Sequence, residues 1–446
     1  MAFKYNPPTR TFCPVCEKLE KNSRNPIIDT NSGKASEANG YPFHDWYNFV
    51  LGYTPVFPEY MLQREQIKTG DLVLDPFNGS GTTQLVCKLK GIESYGIDAN
   101  DYMIWAASKK LDWDYDIKLF GETKTDIIGK CQDKISEVNW DDSETVKKMI
   151  GDQRPDMLTE RYFSDKPYLK TLLIKDTCSK IEDEKLKDLF NFALSSILVP
   201  VSNVRYGPGF GVSKPKDDVD VLKVFEDKLN MMYWDLMRVS DQQKHTVTHT
   251  KLGDSRRLSQ YIKENSIQLI ITSPPYPGDH EYTKHTRIEL IFENMAVDMA
   301  SFRVIKKRML RSSTTNIYKD DNEYEAISDI QSIIDVTSLI QERLDADGAT
   351  SGFEKLYTRL VKEYFGGMYN NLLECYKVLK PGGKISLLVS DSHAFKMVHI
   401  QTAEILKEIG LKAGFVNPEI ELWQMKNSTS HKYQLRENIL ILQKPE

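Results

Sequence analysis

Short apolar runs alternate with longer segments of helical periodicity in two parts of the chain. Apolar runs predict seven strands, at residues 71–75, 93–98, 245–252, 267–272, 384–390, 417–424 and 436–443. Spaced apolar positions predict helices at residues 55–68, 82–90, 100–111, 354–379 and 398–410. This order predicts an α/β fold with a doubly wound, mostly parallel sheet, and the last two strands predict an antiparallel edge.

The alternation of strands and helices is interrupted twice. Residues 113–244 hold helix-like stretches and a glycine-rich segment at 203–211, and they predict a helical insertion. Residues 281–354 are charged and predict a second insertion. The core is then formed by 41–112, 245–280 and 355–446, and the polar residues 1–40 form a loop-rich arm.

Composition narrows the class of protein. The chain has 446 residues, a formal net charge of −5 and a hydrophobic fraction of 40%, which are typical of a soluble globular protein. No apolar run reaches the ~20 residues of a membrane span, and the first ten residues lack the apolar stretch of a secretory signal. Six cysteines are too few for a disulfide scaffold, so we expect a cytoplasmic protein, either a monomer or a weak dimer.

The run DPFNGSGTT at 75–83, the glycine loop, follows the first predicted strand. Gly79 and Gly81 remove side chains that would block a ligand from the backbone, and Thr82 and Thr83 suit a helix start. No lysine follows the second glycine, so the loop is not a phosphate-binding P-loop. A purely structural strand-to-helix turn is the alternative.

Two acidic residues end neighbouring strands. Asp98 lies about 20 residues beyond the glycine loop, where an acidic side chain can accept hydrogen bonds from ribose hydroxyls. Asp254 ends the third predicted strand and could hold an adenine amino group. Each could instead cap the helix that follows.

The run TSPPY at 272–276, the proline turn, follows the strand at 267–272. Pro274 and Pro275 fix φ and remove two N–H donors, which leaves carbonyl groups free to accept from a substrate. Ser273 can exchange a hydrogen bond with an amino group, and Tyr276 can stack on a base. Since a base inside a duplex cannot reach such a site, the base would have to flip out.

Together these motifs resemble those of the S-adenosylmethionine-dependent DNA methyltransferases that modify exocyclic amino groups. The glycine loop resembles their cofactor motif, the proline turn resembles their catalytic motif, and residues 53–58 resemble the segment that closes over the methionine end of the cofactor. The resemblance implies a Rossmann-like methyltransferase sheet, S-adenosylmethionine as cofactor and duplex DNA as partner. It implies catalytic roles for Ser273, Pro274, Pro275 and Tyr276, and cofactor contacts from Thr54, Phe57, Asp75, Phe77, Gly79, Gly81, Thr82, Thr83, Asp98 and Asp254.

Within that family, serine before Pro-Pro-Tyr usually accompanies methylation of cytosine N4, and aspartate or asparagine accompanies methylation of adenine N6. Ser273 therefore favours cytosine N4, in restriction-modification or phage defence, with a cognate restriction endonuclease as a candidate partner. Most N4-cytosine members, however, place the catalytic motif before the cofactor motif, and here the cofactor motif comes first. The alternatives are adenine N6 on the same scaffold and an inactive nucleic-acid-binding protein.

Two further features concern DNA and metal. Five basic residues within a stretch of nine predict contacts with DNA phosphates, although a solvated helix face is the alternative. They are Arg303, Lys306, Lys307, Arg308 and Arg311. Either insertion could read the target sequence. Cys13 and Cys16 have zinc-knuckle spacing, and His44 could add a third ligand, but a closed structural zinc site needs four ligands, so we predict no metal.

Overall fold

Seven strands form one mixed sheet in the computed structural model of the protein, which describes residues 41–206, 210–278, 281–348, 351–427 and 434–446. In chain order the strands are β1 (Leu72–Asp75), β2 (Glu93–Asp98), β5 (Thr248–Leu252), β6 (Ile267–Thr272), β7 (Leu379–Ser390), β8 (Val416–Asn427) and β9 (Gln434–Gln443). Their order across the sheet is β5-β2-β1-β6-β7-β9-β8. The predicted seven-stranded α/β sheet is therefore confirmed.

Strand direction follows the prediction as well. Five neighbouring strands run parallel, in the order β5, β2, β1, β6 and β7. β9 pairs antiparallel with both β7 and β8. The turn between β8 and β9 lies outside the described residues. β7 begins at Leu379, five residues before the predicted start at 384, and its register against β6 shifts between Ile267 and Leu269.

Helices cover both faces of the sheet. Those of the core are α1 (Val56–Arg64), α2 (Thr82–Leu89), α3 (Asp101–Leu111), α14 (Tyr357–Val378) and α15 (Thr402–Lys412). One face buries apolar side chains of β1 and β6 with those of α1 and α2, and the other packs against α14 and α15. None of the described helices is long and apolar enough to cross a membrane.

The segment between α3 and β5 is mainly helical. Its elements are α4 (Ile117–Ser136), α5 (Ser143–Ile150), α6 (Asp165–Cys178), α7 (Glu184–Ser196), α8 (Leu198–Val201), a two-stranded hairpin of β3 (Val204–Tyr206) and β4 (Phe210–Val212), α9 (Val221–Leu236) and α10 (Asp241–Lys244). The helices α4 to α9 share a buried apolar cluster with α3. The insertion is thus anchored on the helix that follows β2.

A second group of elements separates β6 from α14. It comprises α11 (Arg287–Phe292), α12 (Met299–Arg308), α13 (Gln331–Ala346) and short 3-10 turns, among them Glu323–Ile327. That turn packs directly on α14, since a Cβ added to Gly366 would lie 2.4 Å from the backbone of Glu323 and Tyr324. The close contact holds this turn against α14, and Glu323 also pairs with Arg256, which follows the end of β5.

Candidate active site

The glycine loop crosses from the end of β1 to the start of α2. Its backbone is tied to β2, since the Asn78 amide donates to the Ile97 carbonyl at 3.0 Å and the Gly79 amide donates to Asp98 at 2.8 Å. Gly79 and Gly81 have φ of +48° and +87°, in the left-handed region that favours glycine. Nothing lies within 4 Å of a Cβ built on Gly79, so the loop leaves open space at this point.

Asp98 closes this loop from the neighbouring strand. One carboxylate oxygen accepts from the Gly79 amide, and the other accepts from the Asn100 amide at 2.8 Å. Burial raises the pKa of Asp98 to about 6, although both amide hydrogen bonds act in the opposite direction. Asp98 therefore sits at the end of β2, beside the loop, and its contact with ribose stays a prediction.

Asp75 is fully buried and joins several segments. Its carboxylate accepts from the Tyr53 hydroxyl at 2.5 Å, the Thr272 hydroxyl at 2.6 Å and the Phe77 amide at 3.0 Å. Thr83 extends the network, because its hydroxyl lies 2.5 Å from that of Tyr53. Burial raises the pKa of Asp75, and the donated hydrogen bonds oppose that rise. Through these hydrogen bonds Asp75 links Tyr53, the end of β6 and the glycine loop.

The segment before α1 reaches the site through a residue that the sequence analysis did not select. Tyr53 contacts Asp75, whereas Phe57 is fully buried between Tyr53 and Trp423 in the core. Thr54 is buried, and its hydroxyl accepts from the Val56 amide at the start of α1. A tyrosine in a segment that resembles a cofactor-closing motif was the available signal, since its hydroxyl needs a partner when buried.

The proline turn begins where β6 ends. The Ser273 hydroxyl lies 3.2 Å from the Tyr276 hydroxyl, and Tyr276 donates to Glu437 at 3.1 Å. Burial and the adjacent Glu437 raise the pKa of Tyr276 well above its usual value, so the phenol keeps its proton. Pro274 and Pro275 lie between these two side chains. The turn thus presents a serine next to a tyrosine whose hydroxyl is anchored.

The glycine loop and the proline turn lie side by side. β1 and β6 are neighbours in the sheet, with Leu74 opposite Ile270, and the hydrogen bond from Thr272 to Asp75 links the two strand ends. Thr82 and Thr83 begin α2 beneath them, and the Thr83 hydroxyl donates to the carbonyl of Ile271. The structure therefore brings the two sequence motifs together at one edge of the sheet.

Asp254 lies at the end of β5 and begins a 3-10 turn. Its carboxylate accepts from the Arg256 amide and pairs with the Arg256 guanidinium at 2.7–2.8 Å. Arg256 also pairs with Glu323 of the second insertion at 2.9 Å. The carboxylate has a structural partner here, and its contact with adenine stays a prediction.

The basic run lies on α12 and just after it, and only part of it is exposed. Arg303 and Lys307 are exposed, and both lie near the ring of Tyr318. Lys306 pairs with the buried Glu281 at 3.1 Å. These contacts leave Arg303 and Lys307 as the side chains that present charge to solvent.

The two remaining basic residues bind acidic partners. Arg308 contacts Asp101 and donates to the carbonyl of Ala99, next to Asp98. Arg311 is buried and forms two hydrogen bonds of 2.9 Å with Asp321. The phosphate-contact hypothesis therefore rests on Arg303 and Lys307.

The possible metal ligands do not meet in the described part of the chain. His44 is buried, and its Nδ1 lies 3.3 Å from the carbonyl of Pro42. Burial and the charge of Lys110 lower the pKa of His44 to about 3. Cys13 and Cys16 lie outside the described residues, within which no group of three potential ligands could hold a metal ion.

Comparisons of the sequence with known proteins match a family model and several named proteins. A family model described as DNA methylase, of the N6/N4 methyltransferase type, matches residues 12–109. The type II methyltransferase M.AvaI of Nostoc sp. is 30% identical over 425 residues, which cover 84% of this chain and 79% of M.AvaI. The type II methyltransferase M.BsoBI of Geobacillus stearothermophilus is 21% identical over 90% of this chain and 86% of its own length.

A solved structure matches only loosely. The S-adenosylmethionine-dependent O-methyltransferase of Thermotoga maritima covers 88% of this chain and 66% of its own, at 8% identity and a TM-score of 0.27. A structural overlap this weak supports no argument about function. Any functional argument therefore depends on the relatives that match in sequence.

Proposed function

The chain belongs to the type II DNA methyltransferases that modify exocyclic amino groups, and from that premise we propose that it methylates N4 of cytosine in duplex DNA. The observation that carries the proposal is the junction of the glycine loop and the proline turn through the 2.6 Å hydrogen bond from Thr272 to Asp75. A methyl donor and an acceptor base must lie side by side for direct transfer. The two motifs provide neighbouring places for them.

The cofactor of this family is S-adenosylmethionine, which supplies an electrophilic methyl group when it is bound. The open space at Gly79 fits a ligand that approaches the loop backbone. Asp98 would accept hydrogen bonds from ribose hydroxyls, since its carboxylate lies at the end of β2 beside that space. Asp75 has its protein donors and would act by holding the loop.

Ser273 and the Pro274 carbonyl would accept hydrogen bonds from the exocyclic amine. The lone pair of that amine is conjugated with the ring, so the amine is a poor nucleophile. Two acceptors on its hydrogens would bias the nitrogen toward a tetrahedral geometry. Tyr276, with its hydroxyl anchored on Glu437, would hold the flipped base by stacking. Alignment of this kind lowers the activation free energy of well-oriented reactions by up to about 7–11 kcal/mol.

The choice of base rests on Ser273. A neutral hydroxyl in this position accompanies N4-cytosine chemistry in the family, which favours cytosine. The order of the motifs, with the glycine loop first, is less common among N4-cytosine members and keeps adenine N6 as the second candidate. We further propose a role in restriction-modification, since the relatives are named type II methyltransferases. Arg303 and Lys307 are the proposed phosphate contacts.

The test is methyl transfer from labelled S-adenosylmethionine to mixed-sequence duplex DNA, followed by digestion to nucleosides and mass spectrometry. N4-methylcytosine supports the proposal, and N6-methyladenine overturns the choice of base. Ser273→Ala and Tyr276→Ala should lose transfer by at least about a hundredfold while S-adenosylmethionine still binds, because they remove acceptor and stacking groups only. Wild-type turnover in both variants would remove these roles.

A further inference from the structure

A chain of hydrogen bonds leads from the proline turn into the antiparallel edge of the sheet. It runs from the Ser273 hydroxyl to the Tyr276 hydroxyl at 3.2 Å, and from Tyr276 to Glu437 at 3.1 Å. Glu437 lies in β9 and is only 2% exposed. A carboxylate buried this deeply needs partners, because an unpaired charged group is costly to bury.

The surroundings of Glu437 make it a hydrogen-bond acceptor. Gln424 and Lys426, both in the adjacent strand β8, donate to its two oxygens, and the Lys426 ammonium supplies a compensating charge. An ionised carboxylate accepts hydrogen bonds and donates none. The hydroxyl hydrogen of Tyr276 is therefore committed to Glu437.

This commitment sets the direction of the next hydrogen bond. With its hydrogen used, the Tyr276 oxygen can only accept from Ser273. The other partner of the Ser273 hydroxyl is the carbonyl of Leu388, 3.0 Å away, which also can only accept. The single hydrogen of Ser273 thus points to Tyr276 or to Leu388, and the lone pairs of its oxygen remain for a donor that enters the site.

We propose that Glu437 is a positioning residue that acts through Tyr276 to hold the Ser273 hydroxyl as an acceptor for the exocyclic amine. Glu437 itself does not touch the base. The inference rests on the proposed function, because the amine is the donor that would use the lone pairs of Ser273. It adds a residue of β9, and its supports in β8, to a site otherwise built from the proline turn.

The test compares steady-state and binding constants of Glu437→Leu with those of the wild type, using the full chain, S-adenosylmethionine and duplex DNA. Leucine offers Tyr276 no acceptor, so the tyrosine hydrogen can turn to Ser273, where it would occupy a lone pair that the amine needs. We expect kcat to fall at least tenfold, while KM and Kd for S-adenosylmethionine and DNA stay within twofold. An unchanged kcat, or a loss confined to binding, overturns the proposal.

Glu421→Leu is the matched control. Glu421 lies in β8 and also accepts from a tyrosine hydroxyl, that of Tyr60 at 2.7 Å, and pairs with a cation, Arg64. The same chemical change there should leave kcat within twofold. A tenfold fall in the control would show that loss of a strand-edge ion pair alone explains the effect, and would overturn the proposal.

Glu437→Gln separates positioning from folding, and it can be measured even if Glu437→Leu fails to fold. Tyr276 and Lys426 donate to the same carboxylate oxygen of Glu437, so glutamine keeps an acceptor at that place and the tyrosine hydrogen keeps its partner. We expect Glu437→Gln to retain at least a third of the wild-type kcat. Tyr276→Phe removes the competing hydrogen, so adding it to Glu437→Leu should raise kcat at least fivefold above that of Glu437→Leu alone. A tenfold loss of kcat in Glu437→Gln, or no recovery in the double variant, would overturn the proposal. If the wild type methylates no DNA, the proposed function itself has failed.

Discussion

The pKa of Asp98 predicts how the affinity for S-adenosylmethionine depends on pH. Burial raises that pKa to about 6, and only the ionised carboxylate can accept hydrogen bonds from both ribose hydroxyls. Above pH 6 the group is ionised and affinity is at its maximum. As pH falls below 6 the carboxylate takes up a proton, and affinity must fall.

The magnitude follows from the fraction ionised. With a pKa of about 6, roughly nine-tenths of Asp98 is ionised at pH 7 and roughly one-tenth at pH 5, so Kd should rise about tenfold between these values. The amino group of the cofactor titrates near pH 8 and stays protonated over this range. Asp98→Asn should bind about ten- to a hundredfold more weakly at pH 7, because a hydrogen bond to a charged acceptor contributes about 1.5–3 kcal/mol.

Isothermal titration calorimetry of the full chain with S-adenosylmethionine, in one buffer system from pH 5 to pH 7, measures both quantities. The control is Asp98→Asn, which has no ionisable group at this position and should show a flat profile. A wild-type Kd that does not change with pH, or an equal change in the variant, would refute the assignment of ribose binding to Asp98.

Two further predictions concern packing and charge. Gly366→Ala should lower the unfolding free energy by about 1–3 kcal/mol in denaturant titrations, because its Cβ would meet the backbone of the facing 3-10 turn. The control is Gly129→Ala, on an exposed face of α4 with open space around it, which should be neutral or stabilising by about 1 kcal/mol. Equal effects would contradict the packing described. Arg303→Ala should lower, by about one, the slope of the logarithm of the DNA-binding constant against the logarithm of salt concentration, without loss of stability. Arg311→Ala should instead destabilise the fold by about 3–5 kcal/mol, because the side chain of Asp321 would be left buried without its partner. A fully stable Arg311→Ala would show that this ion pair is not needed.

The sheet could be predicted because its information is local. β1 and β6 are short apolar runs, each followed at once by a turn signal, and such runs mark buried parallel strands. Since the carboxyl ends of parallel strands meet at one edge, the sequence also indicates that the glycine loop and the proline turn share a face. Their pairing in neighbouring strands, and the bond from Thr272 to Asp75, required the structure.

The partners of charged residues could not be predicted, because they come from distant segments. Five basic residues in nine positions suggest a phosphate surface, yet Arg311 is buried against Asp321, and Arg308 binds Asp101 beyond β2. For the same reason, the burial of Glu437 could not be predicted from the sequence. A charged residue at the start of an apolar strand is usually exposed, and its burial depends on β8 pairing alongside it.

Side chains at residues 53–58, where the chain enters α1, show a further limit. The resemblance of these residues to a cofactor-closing motif suggested Thr54 and Phe57, but the direction of each side chain depends on how the chain enters α1. Phe57 packs into the core against Trp423, and Tyr53 reaches Asp75 instead. Thr54 lies just before the helix and Phe57 lies in its first turn, and periodicity along the sequence does not show which side chains of such a junction face the site.

The most direct test of the central claim is to express the full chain in a bacterium that lacks DNA methylation and to sequence its genome by a method that identifies modified bases. We expect N4-methylcytosine at the copies of one short sequence, and its absence when Ser273 is replaced by alanine. An unmodified genome with the wild-type chain, or equal modification with Ser273→Ala, would contradict the account of the site. N6-methyladenine would contradict the choice of cytosine alone.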